Sequence, residues 1–213
     1  MAVADRISTT YKNRGKSYGD VAAVIRAATS RIGNYMVYFP SYEYMNAVHA
    51  LYMALEPDAD VLLQRQGMGE AEQAGFLGAF VESPVRTLVG FAVMGGAFAE
   101  GVDLVGTRLS GALVVGVGIP QICLERDIIR GHFDESHGMG YEYAYMYPGF
   151  NRVLQAAGRV IRSETDRGFI VLIDERFSWE DYRRLFPPEW GHARRAASAG
   201  ECAGLVQEFW GEG

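Results

Sequence analysis

The segment Tyr35-Met-Val-Tyr-Phe-Pro-Ser-Tyr42 indicates the architecture, because an apolar run passes directly into the start of a helix. Its uninterrupted apolar residues predict a strand that is buried on both faces. Pro40 ends that strand, and Ser41 is a typical N-cap for a helix that begins at Tyr42. A buried strand followed at once by a helix is the unit from which parallel sheets with helices on both faces are built.

The same unit recurs along the chain. Strands are predicted at 35–39, 60–64, 87–92, 111–117 and 169–173, and helices at 18–32, 42–55, 69–81, 121–129 and 148–162. Residues 131–147 are rich in glycine, histidine and tyrosine, break this alternation, and are expected to form a mobile surface excursion. The pattern therefore predicts one α/β domain, a parallel sheet covered by helices on both faces.

Composition agrees with a single folded unit, since 213 residues with 49% hydrophobic content can bury a substantial core. No apolar stretch approaches 18 residues and the first 30 lack a signal-peptide core, so neither a membrane span nor secretion is expected. A cytoplasmic location is the resulting expectation. The net charge of -6 argues against broad, nonspecific adhesion to nucleic acid, although it is compatible with a narrow DNA track.

Metal binding is not expected in this chain. Its two cysteines, Cys123 and Cys202, are too few for a four-cysteine site, and Cys123 lies in an apolar context that predicts a buried thiol. His132 and His137, with the carboxylates between them, match no zinc or calcium spacing.

The most informative stretch is Gln155-Ala-Ala-Gly-Arg-Val-Ile-Arg162. On one continuous helix, Gln155, Arg159 and Arg162 share a face, since they are spaced at i, i+4 and i+7. Two neighbouring guanidiniums repel unless an anion joins them, and their planar, permanently charged forks suit a triphosphate during phosphoryl transfer. The alternative is a pair of solvated arginines on an amphipathic helix.

Four stretches together resemble one protein family. The run from Tyr147 to Ser163, with its Gln-x-x-Gly-Arg-x-x-Arg, resembles motif VI of superfamily 2 helicases of the DinG/XPD branch. Gly95-Gly-Ala-Phe-Ala-Glu-Gly-Val-Asp-Leu104 resembles motif V of that branch, and Tyr35 to Tyr42 resembles motif IV. Gly168-Phe-Ile-Val-Leu-Ile-Asp-Glu-Arg-Phe177 resembles the closing strand and the Asp-x-Arg-Phe that follow motif VI.

This resemblance implies a RecA-like lobe of the P-loop NTPase type, without its own phosphate loop. The resemblance runs from about Asp5 to Trp190. The expected helicase C-terminal domain therefore spans 1–190, and 191–213 form a C-terminal tail that is partly helical. The implied activity is that of the second motor lobe of an ATP-dependent DNA helicase.

The resemblance also implies roles at an ATP site. Arg159 and Arg162 would act as arginine fingers on the γ-phosphate, with Gln155 positioning water or phosphate. Asp103 would accept a hydrogen bond from the nucleotide ribose, and Glu100 and Gly101 would link the ATP side of motif V to the DNA side.

A second set of residues is expected to contact the backbone of single-stranded DNA. Gly95 and Gly96 allow a sharp turn that brings backbone amides against a phosphate, which a Cβ atom would hold away. The hydroxyls of Ser41 and Tyr42 also suit a phosphate, although Ser41 could equally serve only as an N-cap. Motifs IV, V and VI all lie on or after the carboxyl ends of strands, where open parallel sheets bind ligands.

The groups that hold a nucleotide triphosphate are not found here in their proper context. Asn13-Arg-Gly-Lys-Ser17 lacks the earlier glycine and the preceding strand of a phosphate loop, and Asp134-Glu-Ser-His137 follows no buried strand. The resemblance therefore implies that ATP and Mg²⁺ are bound mainly by an N-terminal RecA-like lobe of the same polypeptide. This chain alone is expected not to hydrolyse ATP and to carry no iron-sulfur cluster.

Two other classes of function are compatible with the pattern. One is a degenerate RecA-like module that binds DNA or protein without an ATP cycle, and the paired motif VI arginines argue against it. The other is a complete nucleotide-sugar or phosphate-binding α/β enzyme, which would need a general base near a glycine-rich loop.

Overall fold

The computed structural model describes residues 1–96, 98, 104, 106–160 and 166–211. The strands are β1 (Ala2–Ala4), β2 (Asn34–Phe39), β3 (Asp60–Leu63), β4 (Leu88–Val93), β5 (Gly111–Val115), β6 (Phe169–Ile173) and β7 (Arg194–Ala196). The α-helices are α1 (Arg14–Ala28), α2 (Tyr42–Ala54), α3 (Glu70–Gly78), α4 (Leu124–His137), α5 (Tyr147–Ala157), α6 (Glu180–Arg183) and α7 (Ala199–Trp210). A π-helical turn, Glu142–Met146, leads directly into α5. Within the described residues, no helix is both long and apolar enough to cross a membrane.

The strands form one seven-stranded sheet in the order β3-β4-β2-β5-β6-β1-β7, and all neighbours in it are parallel. Strands β2, β5 and β6 are buried along their whole length, which explains why their sequences are apolar without alternation. The predicted α/β class is confirmed.

Helices cover both faces of this sheet. Helices α1, α2 and α7 bury apolar residues against one face, where the rings of Phe39 and Phe91 stack with centroids 5.6 Å apart. Helices α3 and α5 cover the other face, and Phe76, Phe150 and Trp190 belong to that second core. The two cores hold the sheet between them and fix its carboxyl edge in place.

The chain after residue 190 contributes to this sheet. Strand β7 pairs with β1, and α7 packs against the face that α1 covers. The proposed division into a domain at 1–190 and a tail at 191–213 stays a prediction, although the tail is helical over Ala199–Trp210.

Three sequence predictions were wrong. The helix predicted over 121–129 runs instead from Leu124 to His137, so the surface excursion predicted over 131–147 is largely helical, with a reversal at Gly138 (φ +66°) before the π-helical turn. Cys123 is exposed, since it precedes a helix in which no residue is buried. The helix predicted over 148–162 ends at Ala157.

Candidate functional site

The carboxyl ends of the parallel strands meet at one edge of the sheet, where motifs IV and V become neighbours. Strands β2 and β4 are paired in register through Phe39 and Val93, and the amide of Met94 donates to the carbonyl of Phe39 at 2.8 Å. The turn at Ser41 therefore lies beside the turn at Gly95, as the sequence predicted for ligand-binding loops.

A buried amide side chain connects these two turns. Gln64, only 6% exposed at the end of β3, donates through Nε2 to the Tyr42 hydroxyl at 3.0 Å and accepts from the amide of Val93 at 2.7 Å. Because Val93 must be the donor, the orientation of the Gln64 amide is settled. The Tyr42 hydroxyl is thus used as an acceptor and keeps its own hydrogen for another partner. Sequence analysis missed Gln64, whose only signal was a polar residue directly after a strand.

Ser41 serves as the predicted N-cap of α2. The amide of Tyr44 donates to the Ser41 hydroxyl oxygen at 3.3 Å, which satisfies one of the free donors at the start of the helix. The Ser41 hydroxyl hydrogen is not consumed by this bond. A contact between Ser41 and DNA stays a prediction.

Gly95 adopts the left-handed conformation (φ +71°) and lies against Arg152 of α5. A Cβ atom on Gly95 would come within 3.2 Å of Nε of Arg152, a tight contact, and the positive φ of this residue also favours glycine. At Gly96 the nearest atom to such a Cβ would be 3.4 Å away, an ordinary contact. Among the residues that the structure describes, Arg152 forms no ion pair or hydrogen bond. Sequence analysis missed this arginine.

Helix α5 approaches the carboxyl edge through two glycines. A Cβ on Gly118, which has φ +68°, would lie 2.4 Å from the carbonyl oxygen of Gly149, so the two backbones are in direct contact. The same hypothetical atom would lie 3.5 Å from Cβ of Arg152. This close packing brings Arg152 over the ends of β5 and β4.

The structure revises the geometry predicted for motif VI. Gln155 is exposed on α5, but Arg159 lies beyond the helix, in a turn where the amides of Arg159 and Val160 bond to carbonyls three residues earlier at 3.4 and 3.2 Å. The helix ends because Gly158 is a poor helix former and because Val160 turns inward to pack on Gly168. The prediction that Gln155 and Arg159 share one helical face was wrong. The motif residues Glu100, Gly101, Asp103 and Arg162 lie outside the described residues.

A buried ion pair lies at the carboxyl ends of β6 and β1. The fully buried carboxylate of Asp174 accepts bonds from Nε of Arg176 at 2.8 Å and from the Thr9 hydroxyl. Burial alone would lower the pKa of Arg176, but its hydrogen bond to Asp174 and the charge of that carboxylate raise it. These contacts hold the carboxyl ends of β1 and β6 together.

Comparison with known proteins agrees with this arrangement. Residues 24–193 match the family model of the helicase C-terminal domain. The chain belongs to this family, and it is the C-terminal, RecA-like lobe of a DinG/XPD-type superfamily 2 helicase. The resemblance on which the sequence analysis relied is therefore confirmed.

Individual relatives are considerably longer than this chain. Human regulator of telomere elongation helicase 1 is 28% identical over 215 residues, which cover 92% of this chain and 17% of that protein. A probable ATP-dependent helicase of Methanocaldococcus jannaschii is 27% identical over 200 residues, which cover 84% of this chain and 29% of that protein. The chain therefore spans less than a third of the length of either relative.

Solved structures share the fold. A structure of apo XPD has a TM-score of 0.73 at 19% identity, and the match covers 92% of this chain and 39% of XPD. Dbp5 of S. cerevisiae, bound to RNA and ADP BeF3, has a TM-score of 0.54 at 12% identity, covering 98% of this chain and 44% of Dbp5.

Proposed function

We propose that this lobe binds the backbone of single-stranded DNA along its carboxyl edge and supplies arginine fingers to an ATP site that it shares with a first RecA-like lobe. The observation that carries the proposal is the convergence of motif IV, motif V and Arg152 at one edge of the sheet. Together they present hydroxyl groups, backbone amides and a guanidinium. Phosphodiester oxygens accept hydrogen bonds from donors of these kinds.

On the DNA side, the contacts are the hydroxyls of Ser41 and Tyr42, the amides of Gly95 and Gly96, and the Arg152 side chain. Contacts of this kind read the backbone and not the bases, as a translocating motor requires. DNA rather than RNA is proposed because the human relative is named for telomere elongation and a plant relative is a subunit of a DNA repair factor.

On the ATP side, Arg159 and Arg162 act on the γ-phosphate and Gln155 positions the attacking water, while Glu100, Gly101 and Asp103 contact the nucleotide. ATP and Mg²⁺ are held mainly by the first lobe, and this chain holds no iron-sulfur cluster. The relative from M. jannaschii is named as an ATP-dependent helicase, which supports an ATP cycle in the complete polypeptide.

The DNA side is tested by binding of this chain to a fluorescein-labelled single-stranded oligonucleotide over a series of salt concentrations. Arg152→Gln should weaken binding and reduce the slope of log K against log salt by about 0.7, the value for one lost phosphate contact with single strands. Arg152→Lys should keep the slope. The matched control is Arg184→Gln, because Arg184 is exposed and paired with Glu180. An unchanged slope in Arg152→Gln would remove Arg152 from the DNA track.

The alternative is a binding module without an ATP cycle. It would be indicated if this lobe binds DNA as predicted but supports no ATP turnover when it is joined to a first lobe.

A further inference from the structure

An aromatic cluster stands outside the site described above, on a helical hairpin formed by α4 and the π-helical turn (residues 124–146). Helix α4 has no buried residue, so this hairpin projects from the lobe. It is nevertheless well held: the Tyr145 hydroxyl bonds to Asp127 at 3.1 Å, and Arg126 donates to the carbonyl of Ala144. The amide of Gly140 donates to Asp134 at 2.8 Å.

The hairpin lies beside the carboxyl edge of the sheet. Its π-helical turn runs straight into α5, and the first turn of α5 contacts the end of β5 through Gly149 and Gly118. The proposed DNA contact at Arg152 adjoins that same glycine contact, because a Cβ on Gly118 would lie 3.5 Å from Cβ of Arg152.

Two rings of the hairpin form a parallel stack. The centroids of Phe133 and Tyr143 are 4.0 Å apart and their planes differ by 5°, while Tyr147 meets Tyr143 edge-on at 5.3 Å. Phe133 covers one face of the Tyr143 ring, and Tyr143 remains 39% exposed. The Tyr143 ring is therefore accessible from solvent.

The backbone conformation at Tyr143 also directs its ring toward solvent. Single π-helical turns are rare in proteins as a whole, but those that occur are often found at functional sites. Such a turn changes the direction in which side chains leave a helix. Here the turn carries Tyr143 away from the core, where Ala144, Tyr145 and Met146 are buried. The negative charge of Asp134, near the stack, is offset by Arg130, whose Nε lies 3.5 Å from that carboxylate.

We propose that the Phe133–Tyr143 stack is a platform on which an unpaired nucleobase of the bound strand lies. The inference rests on the proposed function, because it adds a base contact to a backbone track. Any of the four bases would fit, since each has a flat π-face, and the site would be tolerant of sequence.

The test compares this chain and its variants on two labelled oligonucleotides of equal length, one of deoxythymidine and one with abasic sugars. Tyr143→Ala should weaken binding to deoxythymidine by roughly 5- to 100-fold and leave binding to the abasic strand almost unchanged. Tyr143→Phe keeps the ring and should bind like the unaltered chain. Ile128→Ala, which removes a 63% exposed apolar group from the same hairpin, should also be neutral.

A second variant covers the case in which Tyr143→Ala fails to fold. Tyr143→Trp should bind as tightly as the unaltered chain, and its added fluorescence should be quenched by deoxythymidine but not by the abasic strand. Unchanged fluorescence would overturn the platform.

The outcomes separate the two proposals. If the unaltered chain binds single-stranded DNA and Tyr143→Ala binds equally well, the platform is wrong and the backbone track stands. If the unaltered chain binds neither strand, both proposals fall. A loss in Ile128→Ala as large as that in Tyr143→Ala would contradict base stacking on Tyr143, because it would show that any change to the hairpin weakens binding.

Discussion

Gln64 holds the two loops of the proposed DNA track together with one amide group. Its side chain pairs the amide of Val93 and the hydroxyl of Tyr42, and both bonds lie at the carboxyl ends of neighbouring strands. Replacing it with an apolar residue leaves a buried backbone donor unpaired, which is more costly than losing the bond itself.

We expect Gln64→Leu to lower the free energy of unfolding by about 1–3 kcal/mol. It should also weaken binding to single-stranded DNA, because Tyr42 and the loop after Val93 lose their common support. Urea unfolding and the oligonucleotide assay measure the two effects. Gln66→Leu is the control, since Gln66 is exposed two residues later. Equal behaviour of both variants would show that the bridge has no structural role.

We expect His49 to make the free energy of unfolding depend on pH. Burial lowers the pKa of His49, whose ring meets Phe91 edge-on at 5.4 Å. The folded state therefore resists a proton that the unfolded state accepts near its ordinary pKa of about 6.5. The contribution of neutral His49 to the free energy of unfolding is fully present above that pKa and is lost as the pH falls below it.

The expected result is a larger loss of unfolding free energy between pH 7.5 and 5.5 for the unaltered chain than for His49→Phe, measured in urea. Phenylalanine keeps the aromatic contact and removes the titration. Parallel pH profiles for the two proteins would mean that His49 does not carry the effect.

At the scale of secondary structure, the contact between α5 and the loop after β5 sets the position of Arg152. A Cβ on Gly149 would lie 2.8 Å from the carbonyl oxygen of Val117 and 3.0 Å from the amide of Ile119. Both neighbours are backbone atoms that cannot rotate away. Gly149→Ala must therefore push α5 from the sheet.

Gly149→Ala should lower the free energy of unfolding by about 1–3 kcal/mol, the usual cost of overpacking. Gly131→Ala is the matched control, because nothing lies within 4 Å of a Cβ at that exposed position in α4. It should stabilise the helix by roughly 0.5–1 kcal/mol. Urea unfolding of both variants gives the comparison, and a Gly149→Ala protein as stable as the unaltered chain would refute tight packing here.

The sequence predicted those elements whose own residues carry a signal. Strands β2, β5 and β6 are buried on both faces, so each shows an unbroken apolar run. Strands β1 and β7 have three residues each, too few for any periodicity to be read. The end of α5 was missed because it depends on how Val160 packs against Gly168, a contact that the spacing of apolar residues does not reveal.

The same distinction applies to the site. Gln155, Arg159 and the glycines of motif V were predicted because their types and spacing match a family motif. Gln64 and Arg152 were not, because their importance comes from partners on other elements. Pairing across the sheet brings Gln64 to Val93, and helix packing brings Arg152 to Gly95.

At the scale of the whole molecule, the lobe keeps its proposed chemistry on one edge. The two cores occupy the faces of the sheet, and the proposed DNA contacts lie after the carboxyl ends of strands, with Arg152 of α5 packed beside Gly95. A net charge of -6 does not oppose this, since the donors at the edge are local. The arrangement has a role in catalysis only if the first RecA-like lobe presents ATP to the motif VI arginines.

ATP hydrolysis with and without single-stranded DNA tests that claim most directly. It should be measured for this chain alone and for a polypeptide that joins it to a first RecA-like lobe with a phosphate loop. We predict no turnover by the chain alone, DNA-stimulated turnover by the joined polypeptide, and a loss of roughly 10³- to 10⁵-fold in its Arg162→Ala form. Turnover by the chain alone, or normal turnover in Arg162→Ala, would contradict the assignment of this lobe as the arginine-finger half of a helicase motor.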